Sequence, residues 1–104
     1  MNKQEQQQPS LHDKINLETA QMPWSELLRY FAGGHVICVD DALDLVDVAT
    51  RFSADDVRAV QDWLAAGRLS KVTDEQARLW LEADAALWTV VARPWVLVQE
   101  KKRA

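Results

Sequence analysis

Leu87-Trp88-Thr89-Val90-Val91-Ala92-Arg93-Pro94-Trp95-Val96-Leu97-Val98-Gln99-Glu100 is the stretch whose reading decides the fold. It is the longest nearly uncharged apolar segment of the chain, and β-branched and aromatic residues dominate it. Such side chains fit a pleated, half-buried surface, so the stretch reads as buried strand rather than surface helix. Arg93-Pro94 interrupts it, because proline has no N–H to give to a ladder. Two arrangements satisfy that break. The preferred one is two antiparallel strands joined by a tight turn at Ala92-Arg93-Pro94; the other is one long strand bent at an edge or bulge.

Upstream of this stretch the periodicity turns helical. Thr73-Asp74-Glu75-Gln76 has the spacing of a capping box, and the helix it opens carries Ala77, Trp80 and Leu81 on one face, fading by Asp84. Arg68 to Val72 is a short candidate strand. Before it, Val57, Val60, Trp63 and Leu64 form a helical stripe that Gly67 ends, and Ser53-x-x-Asp56 marks its N-terminus. Leu45, Val48, Ala49 and Phe52 form the preceding stripe, with Asp41 or Asp44 as its cap. His35-Val36-Ile37-Cys38-Val39 is apolar on both faces, which places it inside a sheet covered on both sides. Trp24, Leu27, Leu28 and Phe31 fall at i, i+3, i+4 and i+7 behind Pro23, so a helix is expected there with Trp24 as a core anchor and Gly33-Gly34 as its left-handed stop. Ser10-x-x-Asp13, with Leu11 and Ile15 on one face, signals a first short helix. Residues 1–9 read as a frayed glutamine-rich tail, residues 10–100 as one globular domain, and residues 101–104 as a solvated basic tail.

Composition narrows the class of protein. The chain has 104 residues, 48% of them hydrophobic and 27% charged, which is the balance of an ordinary globular domain. A net charge of −4 and a pI near 5.0 argue against a whole-domain nucleic-acid surface. Cys38 is the single cysteine, so neither an intramolecular disulfide nor a multi-cysteine metal site can form, and a reducing, cytoplasmic setting is expected. No apolar run approaches a membrane span, and the polar N-terminus does not read as a signal peptide.

The candidate chemistry is sparse. Between Asp40 and Asp62 seven acids face two bases, a local net of −5. Asp44 and Asp47 can share a helix face, and with Asp40 they form the one acidic cluster that a hard cation or small ligand could use. Helix-start acids answering the helix dipole explain the same residues more economically. Neutral-pH base chemistry is restricted to His12 and His35. His35 and Cys38 stand three apart in a strand and point to opposite faces, so they do not make a nucleophile–base pair. A winged-helix arrangement could use Arg51, Arg58, Arg68, Lys71 and Arg78, but acids interleave them, and phosphate binding wants uncompensated positive charge.

Five tryptophans exceed what a small core needs. Trp24, Trp63 and Trp88 read as structural. Trp80, Arg93 and Trp95 are the candidate partner-binding residues, because tryptophan and arginine together are typical of interaction hot spots.

Several segments carry a resemblance. Leu11-His12-Asp13-Lys14-Ile15-Asn16-Leu17-Glu18-Thr19-Ala20, Pro23-Trp24-Ser25-Glu26-Leu27, Leu43-Asp44-Leu45-Val46 and Pro94-Trp95-Val96-Leu97-Val98-Gln99-Glu100 resemble a family of short bacterial proteins catalogued as a domain of unknown function. The likeness runs from about Leu11 to Glu100. It implies a bacterial, stand-alone cytoplasmic protein and brings no activity, cofactor or site residue with it.

The expectation is therefore an α+β domain of about five helices packed on a small, mostly antiparallel sheet of three or four strands. Its expected role is that of a non-enzymatic interaction or regulatory module without a cofactor, binding an unknown protein partner or a second copy of itself. The acidic Asp40–Asp47 cluster is the alternative site, and a winged-helix nucleic-acid binder the more distant one.

Overall fold

The computed structural model describes residues 18–100. The frayed tail expected over 1–9, the helix signal at Ser10 with Leu11 and Ile15, His12, and the basic tail at 101–104 lie outside the described residues. Within them, five strands form one sheet: β1 (Ala20–Pro23), β2 (Val36–Val39), β3 (Leu69–Lys71), β4 (Ala86–Ala92) and β5 (Trp95–Gln99). Four α-helices accompany it: α1 (Leu28–Ala32), α2 (Leu45–Ser53), α3 (Val57–Ala65) and α4 (Asp74–Glu82).

The stretch from Leu87 to Glu100 forms a hairpin. Ala92 pairs with Trp95, which leaves Arg93-Pro94 as a two-residue turn, and the peptide bond between them is cis. This hairpin is not at the sheet's margin. The strand order is β1-β4-β5-β2-β3, so β4 and β5 lie inside the sheet, with neighbours on both sides. β5 pairs parallel with β2, while β1–β4, β4–β5 and β2–β3 are antiparallel. The sheet is thus mixed and five-stranded: three of its four pairings are antiparallel, in keeping with a mostly antiparallel sheet, while the count of five corrects the expectation of three or four strands. The extra strand is β1, whose Ala-Gln-Met-Pro sequence has no β-branched residue; it exists because β4 offers it a ladder. β1 also takes the start of the helix expected at Pro23, and what remains there is a 3₁₀ turn at Trp24–Leu27 leading into the five-residue α1.

Strand alternation sorts the core into two layers. One face of the sheet carries Ile37, Val39, Val90, Ala92 and Leu97, packed against Leu45, Val48 and Ala49 of α2. The other carries Val36, Leu87, Val96 and Val98, packed against Trp24, Leu27 and Trp80. Trp24 is fully buried, edge-on to Trp80 at 5.0 Å and to Phe31 at 5.6 Å. Fully burying a valine, leucine or isoleucine side chain of these layers stabilises the fold by about 1.5–3 kcal/mol. Helices on both faces of a central sheet are not a helical bundle with a β-wing, so the winged-helix expectation does not hold. Most of its proposed cations are also engaged. Arg51 pairs with Asp56 at 2.8 Å, Arg78 with Glu75 and Glu82 at 2.7 Å each, and Arg68 faces Asp40 at 3.7 Å.

The four helices end in the same way. After α1, α2, α3 and α4 the chain turns through a left-handed residue, Gly34, Asp55, Gly67 and Asp84 respectively. The amide of the following residue then donates to a carbonyl five residues back: His35 to Tyr30, Asp56 to Arg51, Arg68 to Trp63 and Ala85 to Trp80, at 2.8–3.0 Å. This closure satisfies carbonyls that a helix end otherwise leaves open. It also fixes where the next element starts.

Candidate interaction site at the Arg93–Trp95 turn

Trp95 opens β5 on the face covered by α2 and α3, and it is only half-buried. Its ring is held from two sides. His35 meets it edge-on with centroids 6.1 Å apart, and the Lys71 ammonium lies 5.6 Å from its centroid. Lys71 is itself fixed, donating from Nζ to the Gly34 carbonyl oxygen at 2.9 Å. A cation over an indole is worth about 0.5–1 kcal/mol at an exposed site, enough to set the orientation of the ring.

Between this turn and the α2–α3 corner lies an open groove of about 240 Å³. Phe52, Val57 and Val60 form its helical wall, and Pro94 and Trp95 the wall on the sheet side. Asp55, Asp56, Gln61 and Arg93 supply the polar rim. The two aspartates are in different states. Asp56 caps α3, accepting from the Ala59 amide at 3.1 Å and from Arg51 at 2.8 Å. The Ala59 N–H and the Arg51 guanidinium hold its carboxyl below the usual range. Asp55, in the left-handed position one residue earlier, has no hydrogen bond or ion pair to its carboxylate among the described residues. Arg93, across the groove, is likewise exposed and has no ion pair among the described residues.

The helical wall has a second property. The spacing of Val57, Val60, Trp63 and Leu64 is that of a core stripe, yet no residue of α3 is fully buried. Val57 is 60% exposed and Leu64 49%, while Val60 and Trp63 are half-buried against the core. An amphipathic helix normally buries its apolar stripe; here Val57 opens on the groove and Leu64 is exposed.

Of the three residues singled out from sequence, the structure brings Arg93 and Trp95 together and separates Trp80 from them. Trp80 is 5% exposed and lies on the opposite face of the sheet. Its Nε1 donates to the Glu100 carboxylate at 3.0 Å, so its polar end has a partner inside the protein. Trp80, expected on one surface with Arg93 and Trp95, is therefore core, and the residues that line the groove with Arg93 and Trp95 include Phe52, Val57 and Val60. A helical stripe is normally assigned to the core, so nothing in the residues marked half of this one as open.

The acidic alternative resolves into local structure. Asp44 caps α2, accepting from Val46 at 2.9 Å and Asp47 at 3.3 Å. Asp40 accepts from the Ala42 amide at 2.7 Å and faces Arg68. Asp47 sits in the first turn of α2, where a negative charge suits the dipole. Among the described residues no group of three or more His, Cys, Asp or Glu side chains is placed to hold a metal. Cys38 lies on the far face of the sheet from His35 and Trp95; burial first, then the Glu100 carboxylate, pushes its thiol up to about 11. Among the described residues no helix is long and apolar enough to cross a membrane.

The fold and this site define an α+β domain with a mixed five-stranded sheet, one of whose covering helices is left half open beside a tryptophan–arginine turn. The chain belongs to the family described as protein of unknown function DUF2288, whose model matches residues 10–100. It is also similar to a solved protein, PA1075 from Pseudomonas aeruginosa, known from an NMR solution structure. The two are 43% identical, the match covers 99% of this chain and 95% of that one, and the TM-score is 0.77. No curated protein matches the chain.

Proposed function

We propose that this protein is a non-enzymatic interaction or regulatory module, and that it docks a protein partner in the groove between α3 and the Arg93–Trp95 turn. The observation that carries this reading is the half-covered stripe of α3, whose Val57, 60% exposed, lines the same groove as the half-buried Trp95. Large apolar side chains beside an oriented tryptophan and an exposed arginine are the composition of an interface centre. The chemistry available elsewhere supports a non-enzymatic role. The Cys38 thiol is held protonated, and His35 packs on Trp95 rather than on a nucleophile. A single cysteine also suits a reducing, cytoplasmic compartment.

The test is site-specific photo-crosslinking in the native cell, with the reactive residue placed at Leu64 or, as a control, at Leu79 on α4. Both positions are about half exposed, at 49% each. Discrete adducts from position 64 that disappear with Trp95→Ala are expected, with none of the same mass from position 79. The same adducts from both positions, or adducts indifferent to Trp95→Ala, would remove the groove as the docking surface.

A further inference from the structure

Among the described residues, the groove is lined by one carboxylate and one guanidinium that have no ion pair, and they come from different elements. Asp55 belongs to the α2–α3 corner and Arg93 to the β4–β5 turn, and Val57, Val60 and Trp95 share the lining with them. A purely basic or purely acidic partner would satisfy one group and repel the other. A second copy of this chain, related by a twofold axis, satisfies both. In a twofold interface, if residue i of one subunit meets residue j of its partner, then j of the first meets i of the second. One pairing, Asp55 with Arg93, is thereby made twice, and the exposed Val57 of each copy is carried towards the apolar groove of the other.

We infer that the partner seated in this groove is a second copy of the same chain, in a reversible twofold dimer closed by reciprocal Asp55–Arg93 pairs over Val57, Val60 and Trp95. This rests on the reading of the groove as a docking surface and adds the identity of the occupant. Two features suit the arrangement. Asp55 is fixed by the left-handed closure of α2, and its own amide donates to the Phe52 carbonyl at 3.1 Å, so its carboxylate springs from a defined point. The neighbouring Asp56 is already paired with Arg51, so Asp55 is the groove carboxylate open to an outside cation. The patch is small beside the interfaces of permanent dimers, so association in the micromolar to millimolar range is expected.

Sedimentation equilibrium on the full chain tests this, from roughly 10 µM to roughly 1 mM, the range in which a small interface associates. The wild-type mass is expected to rise towards that of a dimer. Asp55→Lys alone and Arg93→Glu alone each place like charges opposite one another twice, and each is expected to weaken association by about tenfold or more. An equimolar mixture of the two variants recreates both attractive pairs and is expected to recover the dimer. In that mixed dimer the introduced lysine faces the introduced glutamate, and the unchanged Arg93 of one copy faces the unchanged Asp55 of the other. Should Asp55→Lys not fold at its left-handed position, Asp55→Asn is compatible with that backbone and is expected to weaken the wild-type dimer several-fold. A wild-type chain that stays monomeric throughout overturns the inference, as does a dimer that none of these substitutions disturbs or a mixture no better than its components. A monomeric wild type whose position-64 adducts still depend on Trp95 would overturn the self-association while leaving the docking surface standing with a different protein in it.

Discussion

Two tryptophans fifteen positions apart, both expected at a binding surface, have opposite fates. Trp80 shares its helix face with Ala77 and reaches across to Trp24, and Glu100 receives its indole N–H, so every part of it is accommodated. Trp95 is the first residue after a tight turn and has a neighbour on only part of its surface. What separates them is the third dimension: Glu100 lies twenty residues from Trp80, and Lys71 and His35 come from distant parts of the chain to hold Trp95. Cys38 shows the opposite case, a residue whose environment was readable. An apolar strand run predicts a small hydrophobe, and the thiol is indeed held protonated by its burial. The consequence for stability has a definite sign. The unfolded thiol ionises near 9.0 and the folded one near about 11. The unfolded chain therefore sheds this proton first, and the contribution of Cys38, complete below pH 9.0, is lost as the pH rises towards about 11. Urea unfolding of wild type and Cys38→Ala across that window is expected to show a steeper decline with pH in the wild type. Parallel declines would contradict the burial of the thiol.

At the scale of the element, the starts of α2 and α4 were legible, and helix ends were legible only where glycine marked them. Thr73 accepts from the Gln76 amide at 3.1 Å, as the capping spacing requires. The reciprocal half of the box is not made, because the Gln76 side-chain amide turns to the Cys38 sulfur at 3.8 Å. Gly34 and Gly67 announce their turns, whereas Asp55 and Asp84 make the same left-handed closure in a residue that seldom adopts it. That is why Ser53-x-x-Asp56 suggests a cap at Ser53, while the actual cap of α3 is Asp56 itself. Asp44 gives a direct measure of what a cap is worth here. Asp44→Ala removes the acceptor for two amides and is expected to cost about 1 kcal/mol in urea unfolding. Asp47→Ala, which removes only a first-turn charge, is expected to cost a few tenths. Equal losses would mean that the cluster acts through its total charge rather than through the cap. β1 was not legible at all. Its side chains carry no strand preference, and the partner that makes it a strand lies more than sixty residues away.

For the whole molecule, the decisive feature is that the hairpin read from Leu87 to Glu100 is inserted into the interior of the sheet, with β1 added on one side and the β2–β3 pair on the other. Its apolar character on both faces is what an interior position demands, and the break at Arg93-Pro94 is where it reaches the rim. The residues of the hairpin said that it was buried and where it was interrupted. They did not say that β2 would join it in parallel, since that depends on how α2, α3 and β3 return the chain. Nor did they say which helix would stand beside the turn. Its neighbour is α3, whose stripe is long enough for a core helix and is only half used. The groove is therefore a property of assembly: a strand turn from the end of the chain meets a helix corner from its middle.

The most direct measurement is a dilution series of ¹H–¹⁵N spectra on the intact protein. The account predicts that the Trp95 indole and the amides of Asp55, Val57, Val60 and Arg93 shift together with concentration, while those of Leu79, Leu81 and the Trp80 indole stay fixed. Shifts centred on α4, or spectra that do not change with concentration, would contradict it.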